Sequence, residues 1–183
     1  MAGGRPPYVP AQEDVKDTYM DPQYIPCGDY TVAQINPGSL ESNVCEAWTL
    51  ILKDVFSIYQ GFMVNHDADV QGQKIDMEVC HLKNHRRLNF LALVLKRYSS
   101  SNSDQAMADA ETQLKGHLES LGHTQEGRLW SALCIGKGVR IYRCSKESGK
   151  AELFALHDGV LRIDRQPQTV KQWLQHIRSI VMS

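Results

Sequence analysis

Apolar positions along this chain switch between two spacings, and the switches mark its elements. Val44, Trp48, Ile51, Leu52, Val55 and Tyr59 recur at helical spacing, which predicts a helix over residues 43–60. Asn43 with Glu46 resembles a capping box, and Gly61 is a plausible stop. His66 to Asp69 and Gln71 to Gln73 read as a loop. Over residues 74–82 the period drops to two. Ile75, Met77 and Val79 are expected on one face, and Asp76, Glu78 and Cys80 on the other. After a basic connector, residues 88–96 are nearly all apolar, the pattern of a central strand covered on both faces.

The second half continues the alternation. Residues 99–103 form a polar loop that offers a helix cap, and a helix is expected over 104–121. Met107, Ala110, Leu114, Leu118 and Leu121 form its stripe, and Gly122 ends it. Short strands are expected near 129–135, 139–144 and 151–157, joined by hairpin connections. A last helix starts near Pro167 and buries Val170, Trp173, Leu174, Ile177 and Val181. The predicted order is α-β-β-α-β-β-β-α, an α/β fold with a central mixed β-sheet flanked by helices. Six of the seven prolines lie in the first 37 residues, which have no sustained periodicity. Residues 1–42 therefore read as an extended Pro-rich arm, and 43–183 as one domain. Tyr8, Tyr19, Tyr24 and Tyr30 suggest that part of the arm docks.

Composition narrows the class. The 183 residues, 42% apolar and 22% charged, suit a single globular domain with a real core. No stretch approaches the roughly 18 apolar residues of a membrane span, and the N-terminus lacks a hydrophobic signal region. An intracellular protein, nuclear or cytoplasmic, with no membrane contact is expected. The five cysteines are scattered without zinc spacing and read as buried thiols. The net charge of −1 hides an asymmetry: residues 1–80 carry 4 basic and 12 acidic side chains, and residues 81–183 carry 16 and 9. A basic half attracts phosphate backbones, although the two halves also complement each other within one fold.

The candidate chemistry sits on the two middle strands. Asp76 and Glu78 are two apart on a strand, and paired carboxylates hold Mg²⁺ through oxygen ligands. Lys96 ends the buried strand, where an ammonium steadies an attacking water or a developing phosphate charge. The plain alternative is a solvated acid face and a snorkelling lysine. Gln113 and His117 are four apart on the next helix and share a face that could look toward the strand ends. Lys83, His85, Arg86 and Arg87 sit at a hairpin tip, with Arg97, Lys115 and His117 as further groups able to touch a phosphate backbone. Trp130, Tyr142 and Phe154 lie on predicted strands and read as core.

The element order and these residues together resemble the PD-(D/E)XK nuclease superfamily, the restriction-endonuclease-like fold. The resemblance covers roughly residues 43–145 and is similar in style to nuclease-like domains of filamentous-fungal proteins. It places Asp76 on the family's Asp strand and Lys96 on the Lys of Glu-x-Lys, and it matches Gln113-Leu114 to a Gln-Leu of the following helix. It implies a Mg²⁺-dependent phosphodiesterase site with Asp76 and Glu78 as ligands and Asp76, Glu78, Lys96 and Gln113 as catalytic set. One departure bears on activity. The Glu of Glu-x-Lys should stand at 94, where this chain has Val94. The expectation is a non-catalytic nuclease-like domain that binds nucleic acid or a protein partner. The alternatives are an active Mg²⁺-dependent nuclease in which Glu78 compensates, or a small-molecule enzyme or binder on the same sheet.

Overall fold

The computed structural model describes residues 10–70, 73–97, 104–120 and 129–183, without the side chains of 68–70, 73–74, 104–106 and 120. Tyr8, the cap at 99–103, Leu121 and the stop at Gly122 lie outside the described residues. The elements are helices α1 Gly28–Ala33 and α2 Glu41–Val55, strands β1 Phe62–Val70, β2 Gln73–Lys83 and β3 Arg86–Lys96, and helix α3 Asp104–Ser120. Strands β4 Leu129–Ile135, β5 Gly138–Glu147, β6 Lys150–Ala155 and β7 Leu161–Arg162 follow, then helix α4 Pro167–Met182. The sheet order is β1-β2-β3-β4-β5-β6, with β7 paired to β5. Only β3 and β4 pair in parallel; the other ladders are antiparallel. A parallel pair needs a crossover, and α3 lies in that connection. The expected mixed sheet flanked by helices is present.

Three details differ from the sequence reading. His66 to Asp69 lie in the edge strand β1 and Gln73 starts β2, rather than forming a loop, while Gln71 and Gly72 lie outside the described residues. The first long helix ends at Val55, and Phe56 leaves the helix with φ −104° and ψ 81°. Tyr59 therefore continues no apolar stripe; it sits in a separate 3-10 turn, Ile58–Gln60. At the other end, α2 begins at Glu41, and the Asn43 side chain accepts the Leu40 amide at 3.1 Å, so Asn43 supports the cap from inside the first turn.

Two apolar layers sandwich the sheet. One, under α2 and α4, holds Trp48, Ile51, Met77, Val79, Leu91, Leu93, Leu95, Ile141, Leu174 and Ile177. The other, under α3, holds Ala92, Val94, Ala110, Leu114, Leu118, Leu133 and Tyr142. β3 alternates between them, Leu91, Leu93 and Leu95 one way and Ala92 and Val94 the other. Its buried run is thus a strand covered on both faces. The α3 layer is fastened by polar ties: the Tyr142 hydroxyl donates to Glu111 at 2.6 Å, and the Ala151 amide donates to Glu119 at 3.1 Å. On the opposite edge of β5, the His157 ring Nε2 accepts the Ile141 amide at 3.1 Å, standing in for a strand residue between β6 and β7.

The N-terminal segment is fixed to the domain. Tyr19, Val32 and Ile35 are buried in the larger core, and the Tyr19 hydroxyl donates to Ile163 O at 2.9 Å. The chain folds back tightly there, because a Cβ on Gly28 would sit 1.6 Å from Tyr19 O. Lys171 on α4 meets Asp54 on α2 at 2.9 Å, donates to Asp17 O at 2.7 Å and lies over the Tyr24 ring. The Asp54 side chain is 2% exposed, so this ion pair welds the segment and two helices together. Gln166 caps α4 with no side-chain bond. Glu13 does so instead: its carboxylate accepts the Thr169 amide at 3.0 Å and the Thr169 hydroxyl. Glu13→Ala should therefore cost about 1–2 kcal/mol in urea unfolding, the scale of a lost N-cap, although Glu13 lies far from α4 in sequence. An unchanged midpoint would mean that the segment contributes nothing to α4.

Candidate functional site

The sequence placed its chemistry on β2 and β3, and the register shows what those strands do with it. Met77 pairs with Leu93 and Glu78 with Ala92, which puts Glu78 on the α3 side of the sheet. The strict alternation of β2 breaks at Asp76. Met77 and Val79 belong to the core under α2 and α4, whereas Ile75 belongs to the layer under α3. Ile75 thus does not share a face with Met77 and Val79 as the period of two suggested. The β2–β3 ladder stops at Met77↔Leu93, and Asp76 takes over beyond it: Oδ2 accepts the Leu95 amide at 2.6 Å. On the other side, Asp67 sits between the β1–β2 pairs His66↔Met77 and Ala68↔Ile75 and has φ 47°. A side-chain carboxylate has replaced a ladder carbonyl at a local irregularity of three strands.

Asp76 reaches the end of β3, where the Leu95 amide that it holds precedes Lys96. Lys96 is half-buried and has no ion-pair partner among the described residues. Between them in sequence, Val94 is 2% exposed and packs with Ala110, Leu114 and Leu133. Glu78, 4% exposed, is already neutralised. It forms an ion pair with Arg87, and Asn65 Nδ2 donates to it at 3.4 Å. The two carboxylates therefore serve different neighbours. Gln113 is exposed on α3, while His117, one turn on, is buried. Burial pushes the His117 ring below its ordinary pKa, opposed by the negative charge of Asp76. Of this pair, the sheet-facing member is His117.

The cations fall into two places. Arg97 and Lys115 are exposed, Arg97 next to Lys96 and Lys115 on α3. Lys83, His85, Arg86 and Arg87 crowd the turn at the far end of β3, whose 11 residues separate its two ends by about 30 Å. Asn84 and His85 make that turn with φ 52° and 59°, the conformation that two-residue hairpin loops require. Arg87 also donates to Asn89 at 2.9 Å, so part of its charge is spent within the hairpin. Trp130 and Tyr142 are buried as expected, whereas Phe154 is exposed.

The sequence reading passed over one polar group. Cys45 Sγ lies 3.3 Å from His66 Nδ1, and Thr49 Oγ1 lies 3.4 Å from His66 Nε2. Helical spacing puts Cys45 and Thr49 on one face of α2, but only the strand β1, read as a loop, carries His66 to them. Burial pushes the Cys45 thiol up, with Asp67 and Asp76 adding to it, so at neutral pH it is a thiol rather than a nucleophilic thiolate. Among the described residues, no group of three or more His, Cys, Asp or Glu is placed to hold a metal ion. Mg²⁺ asks for an octahedron of oxygens, often anchored by one or two carboxylates. Here Asp76 is bonded to a main-chain amide and Glu78 to Arg87, so the donor set does not fit Mg²⁺ as it stands. Comparison with protein-family models, with curated proteins and with solved structures returns no match.

Two outcomes follow. Asp76→Ala should destabilise the fold by about 1–3 kcal/mol in urea with EDTA present, because the buried Leu95 amide loses its acceptor. Asp76→Asn, which keeps a side-chain oxygen, should cost less; equal losses would remove this hydrogen-bonding role. The second concerns pH. Burial lowers the pKa of both His117 and His157 in the folded chain. The unfolded chain then binds protons first, near the ordinary histidine pKa of about 6.5, so stability is complete above that pH. It falls as acidity increases through the lower folded values. Thermal midpoints should drop between pH 7.5 and 5.5, and His117→Gln should flatten part of that slope; a flat wild-type profile would contradict it.

Proposed function

We propose that this chain is a nuclease-like α/β module that does not cleave phosphodiesters and binds nucleic acid through cations at the β2–β3 turn. The observation that carries this reading is Val94, sealed in the apolar layer under α3 at the position where a cleaving core keeps its second acid. The ties of Asp76 to the Leu95 amide and of Glu78 to Arg87 support it, because both remaining acids already have work in the fold. Exposed Lys83, His85 and Arg86 supply the positive charge. Phosphate contacts position a nucleic acid without reading its sequence, which suits such a turn.

A second reading, an active Mg²⁺-dependent nuclease, draws support from the reach of Asp76 to the Leu95 amide, which precedes Lys96. It requires Glu78 to exchange Arg87 for a metal ion. The two readings part in one experiment. Supercoiled plasmid held with stoichiometric protein and Mg²⁺ or Mn²⁺ should stay intact, and metal titration should release no heat. Binding to the same DNA should weaken with salt, the logarithmic slope losing about 0.9 for each phosphate contact removed by Lys83→Ala or Arg86→Ala. Nicking that disappears in Asp76→Ala would establish the nuclease instead.

A further inference from the structure

The corner where β1 starts and the β2–β3 hairpin turns carries side chains that the nuclease-like wiring leaves unused. Tyr59 is 98% exposed, Ile58 is 72% exposed, and Leu82 is also exposed. Main-chain contacts pin them to one place. The Leu82 amide donates to Gly61 O at 2.9 Å, His81 Nε2 lies 3.1 Å from Gln60 O, and the His81 ring stacks on Phe62 at 4.6 Å. The turn that presents Tyr59 is built rather than loose. Ser57 Oγ accepts the Tyr59 amide at 3.3 Å, and Gly61 closes the turn at φ +83°, where a Cβ would approach Leu82 O to 3.2 Å. Lys83, His85 and Arg86 follow directly on Leu82. No acidic residue occurs between Glu78 and Asp104, nor between Asp54 and Asp67, so nothing in either segment neutralises the corner except Glu78 through Arg87.

We propose that this corner binds single-stranded nucleic acid, with an unpaired base stacked on Tyr59 and flanking phosphates on Lys83 and Arg86. The proposal rests on the nucleic-acid reading above and specifies its ligand. An aromatic ring standing free beside uncompensated cations is the combination that single-strand binders use: stacking tolerates any base, and the cations track the backbone. A duplex hides its base faces, so it offers phosphates to Lys83 and Arg86 and nothing to Tyr59. An anionic membrane is the competing occupant. Stable anchoring there calls for more apolar surface than one small corner supplies.

Fluorescence anisotropy of labelled oligothymidylate and of a labelled blunt-ended duplex with the full chain tests it, alongside sedimentation with phosphatidylcholine–phosphatidylserine vesicles. The single strand should bind more tightly than the duplex. Tyr59→Ala should weaken single-strand binding about tenfold, within the range for one stacked base, and leave duplex binding unchanged. Tyr59→Phe should keep the affinity. Lys83→Ala or Arg86→Ala should weaken both ligands and reduce the single-strand salt slope by about 0.7 each. Wild-type single-strand binding by Tyr59→Ala, or equal affinity for the two ligands, overturns the proposal while the nucleic-acid reading stands. Vesicle binding without binding to either oligonucleotide overturns both. Because Tyr59 is almost wholly in solvent, its replacement leaves the core intact.

Discussion

The double burial of β3 is the constraint from which the rest of the molecule follows. A strand whose residues alternate between two apolar layers needs helices on both sides, and its parallel pairing with β4 needs a connection that crosses a face of the sheet. α3 meets both needs at once, covering Ala92 and Val94 while its chain returns to start β4. Where the β2–β3 ladder gives out, the Leu95 amide would be left without an acceptor inside the protein, and an orphaned buried donor is costly. The Asp76 carboxylate fills that gap. The acid that first draws the eye as chemistry is therefore part of the sheet's hydrogen bonding.

The same layers govern the polar groups around them. Glu78 points to the α3 side beyond the apolar layer, and burial there demands a partner, which Arg87 supplies from the neighbouring strand. On the other face of the sheet, Lys171 and Asp54 join α2 to α4 under cover of the N-terminal segment, with Asp17 O and the Tyr24 ring around the ammonium. Breaking one side of such a pair leaves a buried charge, so these contacts hold the segment as part of the fold.

Most of the elements were legible because their periods are strong. β4 and the start of α4 fall where the spacing put them. The misreadings have physical causes. β1 is an edge strand, so one side of its ladder is open. Its second half carries His66, Asp67 and Asp69, with Asp67 in the left-handed region, and no alternation survives that composition. Tyr59 stands four residues after Val55, so it extends the helical stripe on paper. The backbone turns at Phe56, and no residue type there announces it. Ile75 changes layers because Asp76 bonds within the sheet, and a period of two carries no sign of such a break. The cap of α4 by Glu13 joins positions 156 apart, beyond any local pattern. For the site, the burial of His117 and exposure of Gln113 depended on the rotation of α3.

Under the proposed nuclease-like reading, an acid at 94 meets a physical obstacle. A carboxylate placed there would enter a layer made of Ala110, Leu114, Leu133 and Val94's other apolar neighbours. Desolvation would favour its protonated form, and a neutral acid contributes no charge to a metal site. The apolar packing would also have to open to admit solvent or an ion. The second layer of the core and a hydrolytic centre of the proposed kind would thus compete for the same space. In this chain the core occupies it, and Lys83, His85, Arg86 and the exposed tyrosine ring lie at the opposite end of β3. Binding chemistry placed there is independent of whether the strand ends near Asp76 ever hold a metal.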